Sequence, residues 1–483
     1  MDIRRREFLK SIAGATLGTT LAPLMSTFAL ARPSARVKKY SFTAAETRVQ
    51  LGEGPDFVAW TYNGQVPGPE IRVQEGDRVR VAVTNDLSEA TTIHWHGIPL
   101  VNSMDGVPGI TQPAVQPGKT FVYEFEARPA GSFLYHSHAG YQLDQGLYGP
   151  LIIEPSHQEQ VYDQEFTLVL EDWVLRDGGG TATVRRRPPM GGMHGRMQRG
   201  PSFGAAGKPL WEPIYDGYAV NGKVNGAIDA LLVRKGDRVK IRLINACSAT
   251  IFFLRLAGHS LTITHADGNP IQPAQTDVLR IGMGERYDVM FTADNPGNWW
   301  LAAYDSGLGE GRLRIPIQYR DVLRGQPQPP DFHRGLRMAH YGDFQSFHST
   351  DYSAGEADRL FNQSLSGGMH SSAWGINGQV YPYADPLMIK KGERVRLRYG
   401  NHSMVPHPMH LHGHFFRIVN RSLPPERWIQ KDTLILDHMQ RIEVEFLADN
   451  PGRWFHHCHN LYHMEAGMAN VVVYDGVSKS MTF

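Results

Sequence analysis

The chain has 483 residues, with 49 Lys+Arg against 48 Asp+Glu. A net charge of +1 makes no electrostatic case for nucleic acid, and 41% hydrophobic with 20% charged content excludes wholesale disorder. Two cysteines exclude a disulfide-stapled scaffold and a four-thiolate zinc or iron–sulfur site, whereas 22 His and 17 Met stand out.

The chain opens Arg4-Arg5-Arg6-Glu7-Phe8-Leu9-Lys10, followed by a small-residue apolar stretch to Leu30 and by Ala29-Leu30-Ala31. Arg5-Arg6-Glu7-Phe8-Leu9-Lys10 resembles a twin-arginine export signal, so residues 1–31 are expected to be removed on export to the periplasm. A retained membrane anchor is the alternative, but the stretch is poor in Leu, Ile and Val. No further membrane span is expected, because no other window holds 18 consecutive apolar residues.

One β unit then recurs three times. Asn63-Gly64 precedes Gly76-Asp77-Arg78-Val79, Asn221-Gly222 precedes Gly236-Asp237-Arg238-Val239, and Asn377-Gly378 precedes Gly392-Glu393-Arg394-Val395. Asn-Gly signals a tight turn. Each Gly-Asp/Glu-Arg-Val opens a strand, with apolar alternation at Val79, Val81, Val83 and at Val395, Leu397, Tyr399. A second block recurs as Asp294-Asn295-Pro296-Gly297-Asn298-Trp299 and Asp449-Asn450-Pro451-Gly452-Arg453-Trp454, more loosely as Pro129-Ala130-Gly131-Ser132-Phe133. Short strands separated by Gly/Pro turns predict an all-β chain of β-sandwiches or Greek-key barrels, in three domains at 36–155, 160–325 and 335–483. Residues 176–211, rich in Gly, Arg and Met, read as a long surface loop carrying the solvated run Arg185-Arg186-Arg187.

Four His-x-His pairs sit at matched places in this repeat. His94 and His96 lie 18 and 20 residues after Gly76, and His410 and His412 lie the same distances after Gly392. His136 and His138 lie 5 and 7 residues after Gly131, and His457 and His459 match them after Gly452. The middle copy has Leu254, Leu256, Ala302 and Tyr304 at these positions. Strand side chains alternate, so each pair presents two imidazoles to one point. Eight imidazoles are too many for one tetrahedral metal and suit two or three held between domains one and three. A lone histidine would read as packing or surface; repetition at fixed offsets removes that reading.

Cys458 is the middle residue of the last pair, and alternation turns its sulfur away from the face of His457 and His459. With His407, His463 and Met468 it makes two imidazoles, a thiol and a thioether, the donor set of a blue-copper site. Cys247 reads as a buried thiol. The other 12 histidines, His456 among them, read as surface or packing residues.

His94-Trp95-His96-Gly97, His136-Ser137-His138, His407-Pro408-Met409-His410-Leu411-His412-Gly413-His414, and His457-Cys458-His459 with His463 and Met468 resemble the motifs of the multicopper oxidases. That resemblance implies three cupredoxin-like domains, the middle one without copper, and four copper ions. It implies a type 1 copper on His407, Cys458, His463 and Met468, and a type 2 copper on His94 and His410. It implies a type 3 pair on His96, His136, His138, His412, His457 and His459. Substrate electrons would then reduce O2 to water. The resemblance also implies an acidic residue near the cluster, which Asp105 matches in Met104-Asp105-Gly106-Val107-Pro108-Gly109. Many bacterial members have Glu immediately before the histidine matching His463; Tyr462 stands there, so the proton path differs or leans more on Asp105.

Asn460-Leu461-Tyr462 and the Met-Asp-Gly-Val-Pro-Gly run look closest to the bacterial copper-resistance branch. The expected reductants are cuprous ion, phenols or both. Met190, Met193 and Met197 lean towards cuprous ion, because thioethers suit Cu(I). Asp432 and Met439 are expected near the exposed edge of a type 1 ligand. The twin-arginine export machinery is the one macromolecular partner expected. The mature chain is taken as a monomer without nucleic acid or membrane. A copper-sequestering protein with little turnover is the competing reading, opposed by the complete ligand set.

Overall fold

The Asn-Gly turns form as the sequence expects. Asn63, Asn221 and Asn377 have φ of 56°, 51° and 55°, and the glycines after them 76°, 75° and 73°. Positive φ at both central residues matches the right-handed twist of a hairpin. Each Asn side chain also accepts a backbone N–H from the adjoining strand: Thr43 at 2.7 Å, Val169 at 2.8 Å and Ser364 at 2.8 Å.

The structure is a computed structural model describing residues 36–477, apart from 55, 158–159, 176–211, 214, 306–312, 324, 332–335, 350–354 and 369–372. The expected export signal and the Met-containing loop 176–211 lie outside the described residues. The described strands form six sheets that fall in pairs along the chain. Strands between 37 and 154 make two four-stranded sheets, those between 164 and 319 a seven- and a five-stranded sheet, and those between 359 and 474 a six- and a five-stranded sheet. Among the described residues no helix is long and apolar enough to cross a membrane.

The repeat is visible in the pairing. Arg78–Asn85, Arg238–Asn245 and Arg394–Asn401 each lie parallel to the first strand of their own sheet and antiparallel to a later one. Val79, Val81, Val83, Val395, Leu397 and Tyr399 are buried, as alternation requires for a strand with one face on the core. Arg238–Asn245 differs, since Lys240 and Arg242 are buried as well. The first sheet pair covers that face, and Arg242 reaches Ser132 at 3.1 Å. The second repeated block locks identically in both full copies: Trp299 donates its indole N–H to the Asn295 carbonyl at 2.8 Å, and Trp454 to that of Asn450 at 2.7 Å. Where the outer pairs carry histidines, the middle pair buries Leu254 and Leu256 in its core.

Candidate metal centre

Strand pairing assembles the histidines. His94–His96 runs antiparallel to Gly131–His136 with His94 opposite His136, and His407–Leu411 runs antiparallel to Arg453–Cys458 with His410 opposite His457. Between the first and third sheet pairs the eight rings then divide into groups with donor atoms within 4.8 Å: His94 and His410 with His96; His96, His136 and His459; and His138, His412 and His457. His94 stacks on His412 and His96 on His410, each with ring centroids 3.8 Å apart. All eight are buried.

The hydrogen bonds behind the rings decide which nitrogens face inward. His94, His136 and His410 donate Nδ1–H to the carbonyls of Asp105 (2.8 Å), Ser137 (2.9 Å) and Asp432 (2.9 Å). His96 is turned the other way and donates Nε2–H to Asp432 Oδ1 at 3.0 Å. This leaves His94 Nε2, His96 Nδ1, His136 Nε2, His410 Nε2 and both nitrogens of His459 buried without a hydrogen-bond partner. An orphaned buried polar atom costs about 1–3 kcal/mol, so their convergence demands a shared partner. In the third group His457 Nε2 lies 3.0 Å from His412 Nε2 and 3.4 Å from His138 Nε2. That is close to the spacing of nitrogens around one metal at about 2 Å. Burial first, then neighbouring rings, holds His136, His138, His412, His457 and His459 well below the ordinary imidazole range. His96 is lowered in the same way. Neutral rings with inward lone pairs fit a metal.

The sulfur of Cys458 faces the opposite side, as alternation predicts. His407 Nδ1 and His463 Nδ1 are 3.0 Å apart and each 3.6 Å from Cys458 Sγ. The short helix Leu461–Glu465 returns His463 to this point, capped by the Asn460 side chain accepting from the N–H groups of Tyr462 and His463. Met468 is fully buried beside them and tied in by backbone bonds to Cys458 and His463. Burial pushes the Cys458 thiol far up, so a thiolate here would need a bound cation to form. No disulfide joins Cys458 to Cys247; the latter is buried with its sulfur 3.6 Å from the Leu170 carbonyl. His456 is a packing residue, bonded to Tyr399 and Asn470.

Asp105 sits behind two rings, with Oδ2 3.0 Å from His412 Nδ1 and Oδ1 3.3 Å from His94 Nδ1. Asp432 is not where the sequence reading puts it. The strand Thr433–Leu436 runs antiparallel to His407–Leu411, pairing His407 with Leu436 and His410 with Thr433. Asp432 therefore falls at the cluster end, buried against His96 and His410, and Met439 lies past the other end, exposed.

Sequence reasoning missed Glu212 and Asp144. Glu212 Oε1 lies 2.9 Å from His463 Nε2. Nothing local marks it, because it lies far from His463 along the chain and meets it only through tertiary packing. Asp144 accepts from Tyr215 and Tyr462, each at 2.7 Å. This is where Tyr462 points. Burial, then the charge of Asp172, raises Asp144 from 3.8 to about 7. An acid raised on folding favours the fold most below its unfolded pKa, and that contribution is lost as pH climbs through the folded value. Asp144→Asn should therefore flatten the fall in unfolding temperature between pH 4 and 8, measured by calorimetry; an unchanged slope would place the titration elsewhere.

A site of two imidazoles and a thiol, joined through adjacent backbone to eight convergent imidazoles on an all-β scaffold, defines a redox copper protein. Family models described as multicopper oxidase match residues 43–158, 194–316 and 357–477. Multicopper oxidase MmcO of Mycobacterium tuberculosis is 36% identical, covering 92% of this chain and 88% of its own length. A copper resistance protein A homolog of Pseudomonas syringae is 27% identical over 96% of this chain and 98% of its own. The solved multi-copper oxidase from Pseudomonas Thermotolerans superposes with a TM-score of 0.70 at 28% identity, covering 91% of this chain and 100% of that one. The chain belongs to the multicopper oxidase family and is an oxidoreductase that uses O2, built on cupredoxin-like domains.

Proposed function

We propose that this chain is an exported oxidase of cuprous ion. His407, Cys458, His463 and Met468 hold a type 1 copper, and His94 and His410 a type 2 copper. His96, His136 and His459 hold one ion of a type 3 pair, and His138, His412 and His457 the other, four in all. Copper supplies the one-electron transfers and the reduction of O2 to water. The protein keeps these rings neutral, aims them inward and excludes water from them. Domain limits at 36–155, 160–325 and 335–483 belong to the same reading, supported by the paired sheets. Periplasmic location through the twin-arginine machinery is supported by Arg5-Arg6-Glu7-Phe8-Leu9-Lys10.

The observation that carries the choice of substrate is the Glu212 carboxylate on the outer nitrogen of His463. A buried carboxylate there sets negative charge against the ring through which electrons would enter, which suits a cationic reductant over a neutral one. Similarity to copper resistance protein A points the same way. Enzyme recovered from the periplasmic fraction is to be compared for oxygen uptake with cuprous ion and with a simple phenol. Cuprous ion is expected to drive the faster uptake. Faster uptake with the phenol would make the chain a laccase, binding without uptake would make it a sequestering protein, and absence from that fraction would rule out export.

A further inference from the structure

The middle sheet pair supplies none of the eight imidazoles, yet its turn Gly282–Arg286 reaches them. Arg286 is fully buried. Its guanidinium donates to Asp432 Oδ1 at 2.8 Å and to Asp432 Oδ2 at 2.5 Å. The same group donates to the Ser132 carbonyl at 3.2 Å and to that of Gly284 at 2.7 Å. One side chain thus ties together all three sheet pairs. Asp267, whose Oδ1 accepts from the Arg286 backbone N–H at 3.0 Å, uses Oδ2 to accept from the N–H groups of Asp432 and Thr433.

What Arg286 grips then faces the cluster. Asp432 Oδ1 accepts from His96 Nε2, and the Asp432 carbonyl accepts from His410 Nδ1. Among the inward-facing rings whose rear hydrogen bond is to Asp105, Ser137 or Asp432, His96 alone presents Nδ1, because the Asp432 carboxylate takes its Nε2–H. Glycines make this approach possible. At Gly97 (φ +86°) a Cβ would come within 2.5 Å of Arg286 Nη2 and 2.7 Å of Asp432 Oδ2. At Gly284 (φ +78°) a Cβ would come within 2.7 Å of the His459 ring.

We propose that Arg286 and Gly284 are positioning residues of the oxygen-reducing cluster: the middle sheet pair sets the orientation of His96 and His410 through Asp432 and leaves room for the ring of His459. This rests on the reading that those imidazoles hold copper. An outer partner that fixes a ligand's tautomer and direction is worth about 10–100-fold in metal affinity. Arg286→Lys keeps the buried charge but loses the planar fork that engages both oxygens of Asp432. It therefore separates geometry from charge balance. Gly284→Ala tests the contact with His459 independently.

The experiment measures copper per chain, blue absorbance, and the near-ultraviolet and electron paramagnetic resonance signatures of the cluster in full-length holoprotein. Both variants are expected to keep the blue absorbance while a chelator strips cluster copper about 10–100-fold more readily than from wild type. Wild-type retention and spectra in both variants would overturn the proposal. Joint loss of the blue absorbance and cluster copper in both would also overturn it, making these residues general supports of the fold. A wild-type chain that takes up only the blue copper would instead overturn the ligand reading, and the proposal with it.

Discussion

Cys458→Ser is expected to abolish the blue absorbance and reduce oxygen uptake to the level seen without enzyme. The thiol sits between His407 Nδ1 and His463 Nδ1, 3.6 Å from each. A hydroxyl of similar size fills the space but gives a hard oxygen that stays protonated, so the thiolate on which a blue site depends is lost. The cluster should survive. Its donors lie on the opposite side of the strand, and His457 still has the carbonyl of residue 458 to accept its Nδ1–H at 2.9 Å. Copper analysis of the variant should therefore show loss of one ion per chain. Retained blue colour, or uptake within a few-fold of wild type, would mean that electrons do not enter through this sulfur.

Asp105→Asn is expected to slow oxygen uptake by about 10–100-fold while leaving the blue colour unchanged. The carboxylate is fully buried and faces N–H groups on two rings, His412 Nδ1 from Oδ2 and His94 Nδ1 from Oδ1. An amide keeps one oxygen acceptor and turns the other position into a donor, which then opposes a ring N–H. It also removes an acid lying between these two rings. Neither change reaches Cys458, so the blue absorbance serves as the internal control. Unchanged uptake would remove Asp105 from the mechanism and leave it as a support for His94 through its backbone carbonyl alone.

The histidines and Cys458 were legible before any fold was known because they obey a local rule. A strand places i and i+2 on one side whatever surrounds it, so His457 and His459 had to share a face and Cys458 had to oppose them. The middle copy was equally readable: Leu254 and Leu256 occupy the matching places, and both are core. Asp432 shows where that rule stops. Its distance along the chain from His407, Cys458 and His463 said nothing about which end of the His407–Leu411 strand it would meet, and antiparallel register sent it to the His410 end.

The sequence by itself determined the three-fold β repeat, the Asn-Gly turns and the set of donor side chains, since each follows from backbone preferences over a few residues. Tertiary structure decided the rest. It divided eight imidazoles into three groups, turned His96 to present Nδ1, put Glu212 on His463, and brought Arg286 from the middle sheet pair onto Asp432 behind the cluster. These arrangements depend on register and on the packing of one sheet pair against another. Arg286 and Asp432 are 146 positions apart and His96 and Asp432 are 336 apart, separations over which no local pattern carries a signal.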